Sequence, residues 1–275
     1  MKETNKNHYS PRFANRPWAN QNGLMIKYTK SPLGSLIRSR TGPVQWGQEE
    51  GLYPQELEDA LAELERIIAP IYDSLLANRP LDLQQRLLWS HWLLCQYSRT
   101  PAYIIDVAKL EEDILTQFPD MEKWASEINT EEKLQSALDN IYSLTSSKKI
   151  VPFLAVRDWI VCKAAIGSCF LRTDDPIVIT GPLVREKTKI IYPLSPKQCF
   201  VATVLGTFPP SALLGSCQLS RGDSFRMFNL IASQADQEVV VHPDDDTKQL
   251  RTALQDAFRG NIGHFKTGFP DLRYE

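Results

Sequence analysis

Three side chains suited to acid–base and phosphate chemistry are spread widely along this 275-residue chain. His8 lies in the irregular segment NHYSPRF, where a histidine can act as a general base or a metal ligand. Arg99 precedes Thr100-Pro101, a predicted helix start whose free N–H groups favour an anion. Asp174, in RTDDP, stands before a β-branched run, where a carboxylate can bind a divalent cation or orient a histidine. Together these groups suit hydrolysis of a phosphate-bearing substrate.

Each of the three groups also has a structural interpretation. The ring nitrogens of His8 would bond within the chain and hold the N-terminal segment in place. Arg99 would pair with Glu65, which lies beside the apolar seam of a predicted helix, and we favour this pair over an anion site. One of the two adjacent acids would form a turn before the proline. Since neighbouring residues of an extended chain point in opposite directions, the two acids cannot both face one pocket.

Further polar residues complete the candidate site. Asp174 and Glu65 are the carboxylates that would hold a divalent metal ion, Mg²⁺ or Mn²⁺, to activate water. Asn229 falls among aromatic and aliphatic residues of a predicted helix, where a polar side chain needs a partner, so it is a candidate binding residue. Arg12 is a second binding candidate because it belongs to the basic N-terminal segment.

The first half of the chain predicts a β-hairpin followed by a block of helices. LMIKYTK (24–30) and GSLIRSR (34–40) are short β-prone runs separated by Ser-Pro. Apolar residues at steps of three and four from Leu57 to Leu75 predict a long amphipathic helix. Asp82 is the predicted N-cap of a second helix with a broad apolar surface. Further helices are predicted from Thr100-Pro101 to about residue 118 and over 130–145.

The last third of the chain predicts mostly strands and two helices. We interpret VRDWIVCKAAIG (156–167) as helical, followed by strands in three runs: CFLRTDDPIVIT, TKIIYPLS and KQCFVATVL. DSFRMFNLIASQA and DTKQLRTALQDAFRG predict helices on either side of the strand EVVVHP. The fold class is therefore α+β, with a C-terminal mixed or antiparallel sheet. We expect one domain over 1–275, with a soft boundary near 146–149, because the N-terminal hairpin is expected to pair with the C-terminal strands.

Composition limits the location and the partners. The five cysteines form no C-x-x-C pair, and the chain shows no apolar run of membrane or signal length, so we expect a cytoplasmic protein with reduced thiols. The formal net charge is −2, but residues 1–40 are strongly basic and residues 41–147 strongly acidic. The basic arm would bind nucleic acid, or else pack on the acidic middle of the chain. The C-terminal tail GNIGHFKTGFPDLRYE would dock on a protein partner or a second copy.

Several spaced elements together resemble an uncharacterised, mostly bacterial family, the domain of unknown function family four-two-three-eight. The resemblance rests on NHYSPRF, ELEDALAELER, QYSRTP, FLRTDDPIVI, YPLSP and FNLIASQADQEVV, which span most of the chain. The chain differs from the family pattern at Asn7, where the family has a histidine, and at Asp175, where it has an asparagine. Asp174 matches the aspartate of the family pattern, so the resemblance implies that Asp174 is the candidate site residue and leaves the turn to Asp175. The family name carries no activity, and its scattered bacterial occurrence suggests a toxin or a phage-defence effector.

Two functions therefore stay open at this point. In the first, the chain is a metal- or His-assisted hydrolase, nuclease-like, in which Arg99 neutralises phosphate charge and the basic arm steers the polyanion. In the second, it is a non-catalytic interaction or scaffold module whose polar residues form a buried network. An enzyme requires His8, Asp174 and Arg99 to meet at an open cleft, whereas a module requires them sealed and bonded.

Overall fold

The predicted N-terminal hairpin forms, and it pairs with strands from the C-terminal third. Strands β2 (Met25–Lys30) and β3 (Leu36–Thr41) are antiparallel. β2 pairs with β11 (Glu238–Val241), and β11 pairs in turn with β6 (Arg172–Thr173). The order of this four-stranded sheet is β3-β2-β11-β6. The computed structural model describes residues 6–32, 34–107, 130–183, 185, 187–204, 206 and 214–259.

The second sheet has five strands in the order β10-β5-β9-β8-β7. Their bounds are β5 (Asp158–Lys163), β7 (Val178–Ile179), β8 (Ile190–Ser195), β9 (Gln198–Thr203) and β10 (Gly215–Gln218). β10 is parallel to β5 and the other pairs are antiparallel, so the sheet is mixed, and the predicted α+β class is confirmed.

The prediction of a helix over 156–167 is wrong, since this stretch supplies β5. Its centre is aromatic and β-branched (Trp159, Ile160 and Val161), and four of its six residues are buried. A strand that is covered on both faces reads as a continuous apolar run, and periodicity does not separate such a run from a buried helix. A short helix, α5 (Ile150–Ala155), ends just before it.

The helical block in the middle of the chain forms as predicted over the described residues. It comprises α2 (Gln55–Leu76), α3 (Leu83–Ser98), a helical segment over 101–107, and α4 (Thr130–Thr145). Asp82 caps α3 through a reciprocal capping box with Gln85, which satisfies two otherwise free backbone donors. The predicted continuation of the third helix to about residue 118 lies outside the described residues.

The five-stranded sheet is buried on both faces. One face packs on α2, α3 and α5, and the stacked indoles of Trp89 and Trp92, 4.7 Å apart, meet Tyr192 and Phe200 edge-on. The other face packs on the four-stranded sheet and on α6 (Arg221–Gln234) and α7 (Lys248–Phe258). The broad apolar surface of α3 is thus explained by burial. No helix in the described part of the chain is both long and apolar enough to cross a membrane.

Short elements hold the N-terminal arm, residues 6–18, against this core. Strand β1 (Lys6–His8) pairs with β4 (Gln48–Glu50) in an antiparallel two-stranded sheet. The chain then turns into α1 (Arg12–Asn15) and a 3₁₀ turn ending at Trp18, whose side chain is fully buried. The arm is therefore an ordered part of the fold, and its polar groups have fixed neighbours.

Candidate functional site

Backbone and side-chain bonds tie the N-terminal arm to the helical block. The side-chain oxygen of Asn7 accepts from the Tyr53 backbone N–H (3.2 Å), and the Tyr53 hydroxyl donates to the His8 carbonyl (2.9 Å). Gln96, on α3, donates from its side-chain amide to the Tyr9 carbonyl (2.9 Å). Because buried backbone groups need partners, these bonds fix the position of His8 and Tyr9.

His8 has both ring nitrogens engaged within the chain, although 35% of its side chain is exposed. Its Nδ1 lies 3.4 Å from a carboxylate oxygen of Glu58, and its Nε2 lies 2.7 Å from the amide nitrogen of Gln48. That amide also donates to the Val44 carbonyl, so the His8 Nε2 accepts and the proton sits on Nδ1. The hydrogen bond with Glu58 raises the pKa of His8 above its ordinary value, while burial acts to lower it.

Arg99 is sealed inside the protein, with 1% of the residue exposed. Its Nη1 donates to the Glu65 carboxylate (2.7 Å), and its Nη2 donates to the side-chain oxygen of Gln96 (2.9 Å). The ion pair between Arg99 and Glu65, which the sequence favours, is present. Arg99 thereby also orients Gln96, the residue that holds the Tyr9 carbonyl.

Asp174 receives three successive backbone N–H groups at the turn between α6 and β11. One carboxylate oxygen accepts from Asp236 (3.0 Å) and from the adjacent Asp175 (3.1 Å), and the other accepts from Gln237 (2.7 Å) and Glu238 (2.8 Å). Consecutive backbone N–H groups that converge in this way form a concave anion-binding nest. Burial raises the pKa of Asp174 to about 6, although the three N–H bonds favour the charged form.

Asp175 has a different environment from its neighbour. One of its carboxylate oxygens accepts from the side-chain amide of Gln234, on α6. Its backbone carbonyl accepts from the Thr173 hydroxyl (2.6 Å), which closes the turn before Pro176. Burial raises the pKa of Asp175 to about 7, with the nearby Asp174 adding to the shift. The two adjacent acids therefore serve separate contacts.

Asp175→Asn is expected to reduce the loss of stability on raising the pH. Because the folded-state pKa lies above that of the unfolded chain, the stabilisation from the protonated form is complete below about pH 4 and is lost as pH rises through about 7. Urea unfolding at pH 5 and pH 8 should show a smaller drop in the variant, by on the order of 2–4 kcal/mol. Asp244→Asn, at an exposed position, is the control, and an equal drop in all three proteins would contradict the expectation.

A cleft of about 390 Å³ opens between the N-terminal arm, the 101–105 segment and the turn that holds Asp174. Its lining residues are Tyr9, Gln48, Glu49, Pro101, Ala102, Ile105, Asp174, Asp236, Gln237 and Glu238. Of the three candidate catalytic groups, Asp174 lines the cleft. His8 reaches it through its partner Gln48, and Arg99 does not line it.

The other predicted site residues lie apart from one another. Arg12 is exposed on α1, and Asn229 is buried in α6 away from the cleft lining. Glu65 bonds to Arg99, whereas Asp174 bonds to the turn before β11, so the two proposed metal ligands have separate partners. Among the residues that the structure describes, no group of three His, Cys, Asp or Glu side chains is arranged to hold a metal ion.

Arg172 is a site-forming residue that the sequence interpretation did not single out. It is fully buried, its Nη2 donates to the Ser10 hydroxyl (3.1 Å), and its guanidinium lies 4.9 Å from the ring centre of Tyr192. Ser10 in turn donates to the side chain of Asn15 (2.7 Å). Arg172 therefore joins the arm to β6, two residues before Asp174. The only feature of the sequence that could have indicated this role is the position of Arg172 just before the two acids.

The fold and the site define an α+β protein in which a bonded network of polar side chains holds an N-terminal arm beside an acidic cleft. The chain belongs to the family described as "Protein of unknown function (DUF4238)", whose match covers residues 6–245. The resemblance drawn from the spaced motifs is therefore confirmed at the level of the family. Comparison with curated proteins and with solved structures finds no significant match.

Proposed function

We propose that this protein is a non-catalytic binding module rather than a hydrolase. The observation that carries the proposal is the internal bonding of the three candidate catalytic groups. His8 is held by Glu58 and Gln48, and both oxygens of Asp174 accept backbone N–H groups. Arg99 is sealed within the protein. A general base or a phosphate-binding cation has to reach its substrate, and these groups are instead used to hold the chain together.

The charge of the cleft also argues against a phosphate-bearing substrate. Four of its lining residues are acids, namely Glu49, Asp174, Asp236 and Glu238, and its lining contains no Lys or Arg. Like charges within a partly enclosed space repel strongly because the local dielectric constant is lower than that of water. A polyanion would therefore be excluded from the place where Asp174 lies, and hydrolysis of a phosphodiester there has no supporting cation.

Purified protein is expected to leave RNA and DNA intact with Mg²⁺, with Mn²⁺ and with a chelator, at rates equal to those in buffer. His8→Ala and Asp174→Asn serve as the diagnostic variants, and His242→Ala is a matched loss of an imidazole outside the arm. Cleavage by the wild-type protein that both diagnostic variants abolish and His242→Ala retains would overturn the proposal and establish a hydrolase. Gel electrophoresis of end-labelled oligonucleotides provides the measurement.

A second candidate function is nucleic-acid binding without cleavage, and exposed basic residues of the arm favour it. Lys6, Arg12 and Arg16 are exposed, whereas Lys27 and Arg38 form ion pairs with acids of the C-terminal third. The same labelled oligonucleotides, titrated with protein, would then bind with an affinity that falls steeply with added salt. An arm variant with Arg12→Gln and Arg16→Gln should weaken such binding, while a salt-independent or absent signal would exclude this candidate.

A further inference from the structure

We propose that the acidic cleft binds an organic cation, an ammonium or guanidinium group on an aliphatic stem. This inference rests on the proposed binding function and names its ligand class. Two features of the cleft point to it independently of each other: the distribution of charge on one side, and, on the other, a tyrosine that is mostly buried and whose hydroxyl has no hydrogen-bond partner among the described residues. A third feature, an apolar wall, fits the stem.

The carboxylates of the cleft divide into those that are already neutralised and those that face solvent. Glu238 pairs with Lys27 (2.6 Å) and accepts from the Trp46 indole (3.1 Å). Asp174 is satisfied by backbone N–H groups. Glu49 and Asp236 are exposed, and neither forms an ion pair with a described residue. Those two carboxylates are therefore available to a cation that enters the cleft.

The hydroxyl group of Tyr9 provides the second observation. Tyr9 lines the cleft and is 6% exposed, yet its hydroxyl has no hydrogen-bond partner among the described residues. Burial and the four cleft carboxylates raise the pKa of Tyr9, so the hydroxyl keeps its proton and lies close to those acids. A hydroxyl at the wall of a cleft that has no partner within the protein is open to a ligand, and this one can accept from an N–H donor. The ring beside it also attracts cations.

The third side of the cleft is apolar and comes from the helical segment after Arg99. Pro101, Ala102 and Ile105 line it, and about half of Ile105 is exposed. Lysine and arginine side chains bury their methylene stems along such surfaces while their charged ends reach polar groups. The volume of about 390 Å³ lies in the range of small-ligand pockets. A stem on this wall would bring its charged end towards Tyr9, Glu49 and Asp236.

Two sources could supply this cation, a free amine or a basic side chain of a protein partner. The probes are n-butylamine and n-butylguanidine for the first source, and blocked glycine–serine peptides with a single Lys or Arg for the second. Binding is followed by NMR chemical-shift titration of the full-length protein, with butyrate and a matched Glu peptide as anionic controls. Saturable binding of the cations alone is expected. Tighter binding of a peptide would assign the source to a protein, and equal affinity would assign it to a free amine.

Variants of the cleft decide whether the bound cation lies there. Glu49→Gln and Asp236→Asn should each weaken binding about tenfold, and Tyr9→Phe should weaken it by a smaller factor of about three. Glu63→Gln removes an exposed acid that does not line the cleft and should bind as the wild type does. Glu49, Asp236 and Glu63 are all exposed, so these three variants are expected to fold as the wild type does. Circular dichroism checks this.

The possible outcomes test the cation assignment and the binding-module proposal independently of each other. Absence of saturable cation binding, or equal weakening by Glu63→Gln and the cleft variants, would overturn the cation assignment. If nucleic acid is also left intact, the binding-module proposal still stands without that ligand. Cleavage of nucleic acid that depends on His8 and Asp174 would instead overturn the binding-module proposal, whether or not amines bind.

Discussion

Asp174→Ala is expected to lower the free energy of unfolding by about 3 kcal/mol, because it removes the acceptor for four backbone N–H groups at once, those of Asp175, Asp236, Gln237 and Glu238. Three of these groups, on Asp236, Gln237 and Glu238, lie where the chain turns into β11, the strand that joins the N-terminal hairpin to β6. A methyl group at position 174 offers no acceptor, and the turn would have to open towards water. The substitution therefore weakens the support of β11, and with it the pairing of the N-terminal hairpin with the C-terminal third of the chain.

Two measurements test this expectation. Urea unfolding gives the change in free energy, and hydrogen exchange reports the amides of Asp236, Gln237 and Glu238, which should exchange faster in the variant by a larger factor than amides of α3. Asp174→Asn retains one acceptor oxygen and should lie between the two proteins. Asp244→Ala removes an exposed acid that follows β11 in the sequence, and it should leave both the unfolding free energy and the exchange of these amides unchanged. Unfolding of Asp174→Ala at the wild-type urea concentration would show that these bonds contribute no net stability.

Local patterns in the sequence were sufficient for most of the secondary structure. The seam from Leu57 to Leu75 predicted α2, and Asp82 predicted the start of α3, because periodicity and capping act over a few residues. The same local information misassigned β5, whose burial on both faces removes the alternation that normally marks a strand. The error thus has a specific cause, since the covering layers come from other parts of the chain.

The candidate site was less predictable because its walls come from distant segments. Glu49 enters the cleft through the pairing of β1 with β4, and Asp236 enters it through the pairing of β11 with β2 and β6. No spacing within the sequence brings these acids together. The pair of Arg99 with Glu65 was predicted, because a half-buried acid beside an apolar seam requires a partner. The role of Gln96, which links that pair to Tyr9, required the tertiary contacts.

This linkage makes Arg99→Met the second change for which we expect a large effect. The substitution keeps a flexible, unbranched stem, shorter than that of arginine, but removes the donors to Glu65 and Gln96, the latter fully buried. Loss of one partner of a buried ion pair typically costs about 3–5 kcal/mol, because the other partner stays desolvated. With 22% of the Glu65 side chain exposed, water relieves part of that cost, and we expect about 3 kcal/mol.

A double-mutant cycle distinguishes an uncompensated charge from lost packing. If the penalty comes from the stranded carboxylate, then Glu65→Leu in the Arg99→Met background should restore at least half of the lost stability, and the coupling energy between the two sites should be about 2 kcal/mol. If Arg99 acts mainly through packing, the two single changes would be additive.

Because Gln96 also depends on Arg99, the backbone amides of Tyr9 and its neighbours should exchange faster in Arg99→Met. Their protection should recover less than the unfolding free energy does in the double variant, because that variant still lacks the donor to Gln96. Recovery of stability without recovery of protection in the arm would therefore separate the two functions of this guanidinium, neutralising Glu65 and orienting the wall of the cleft.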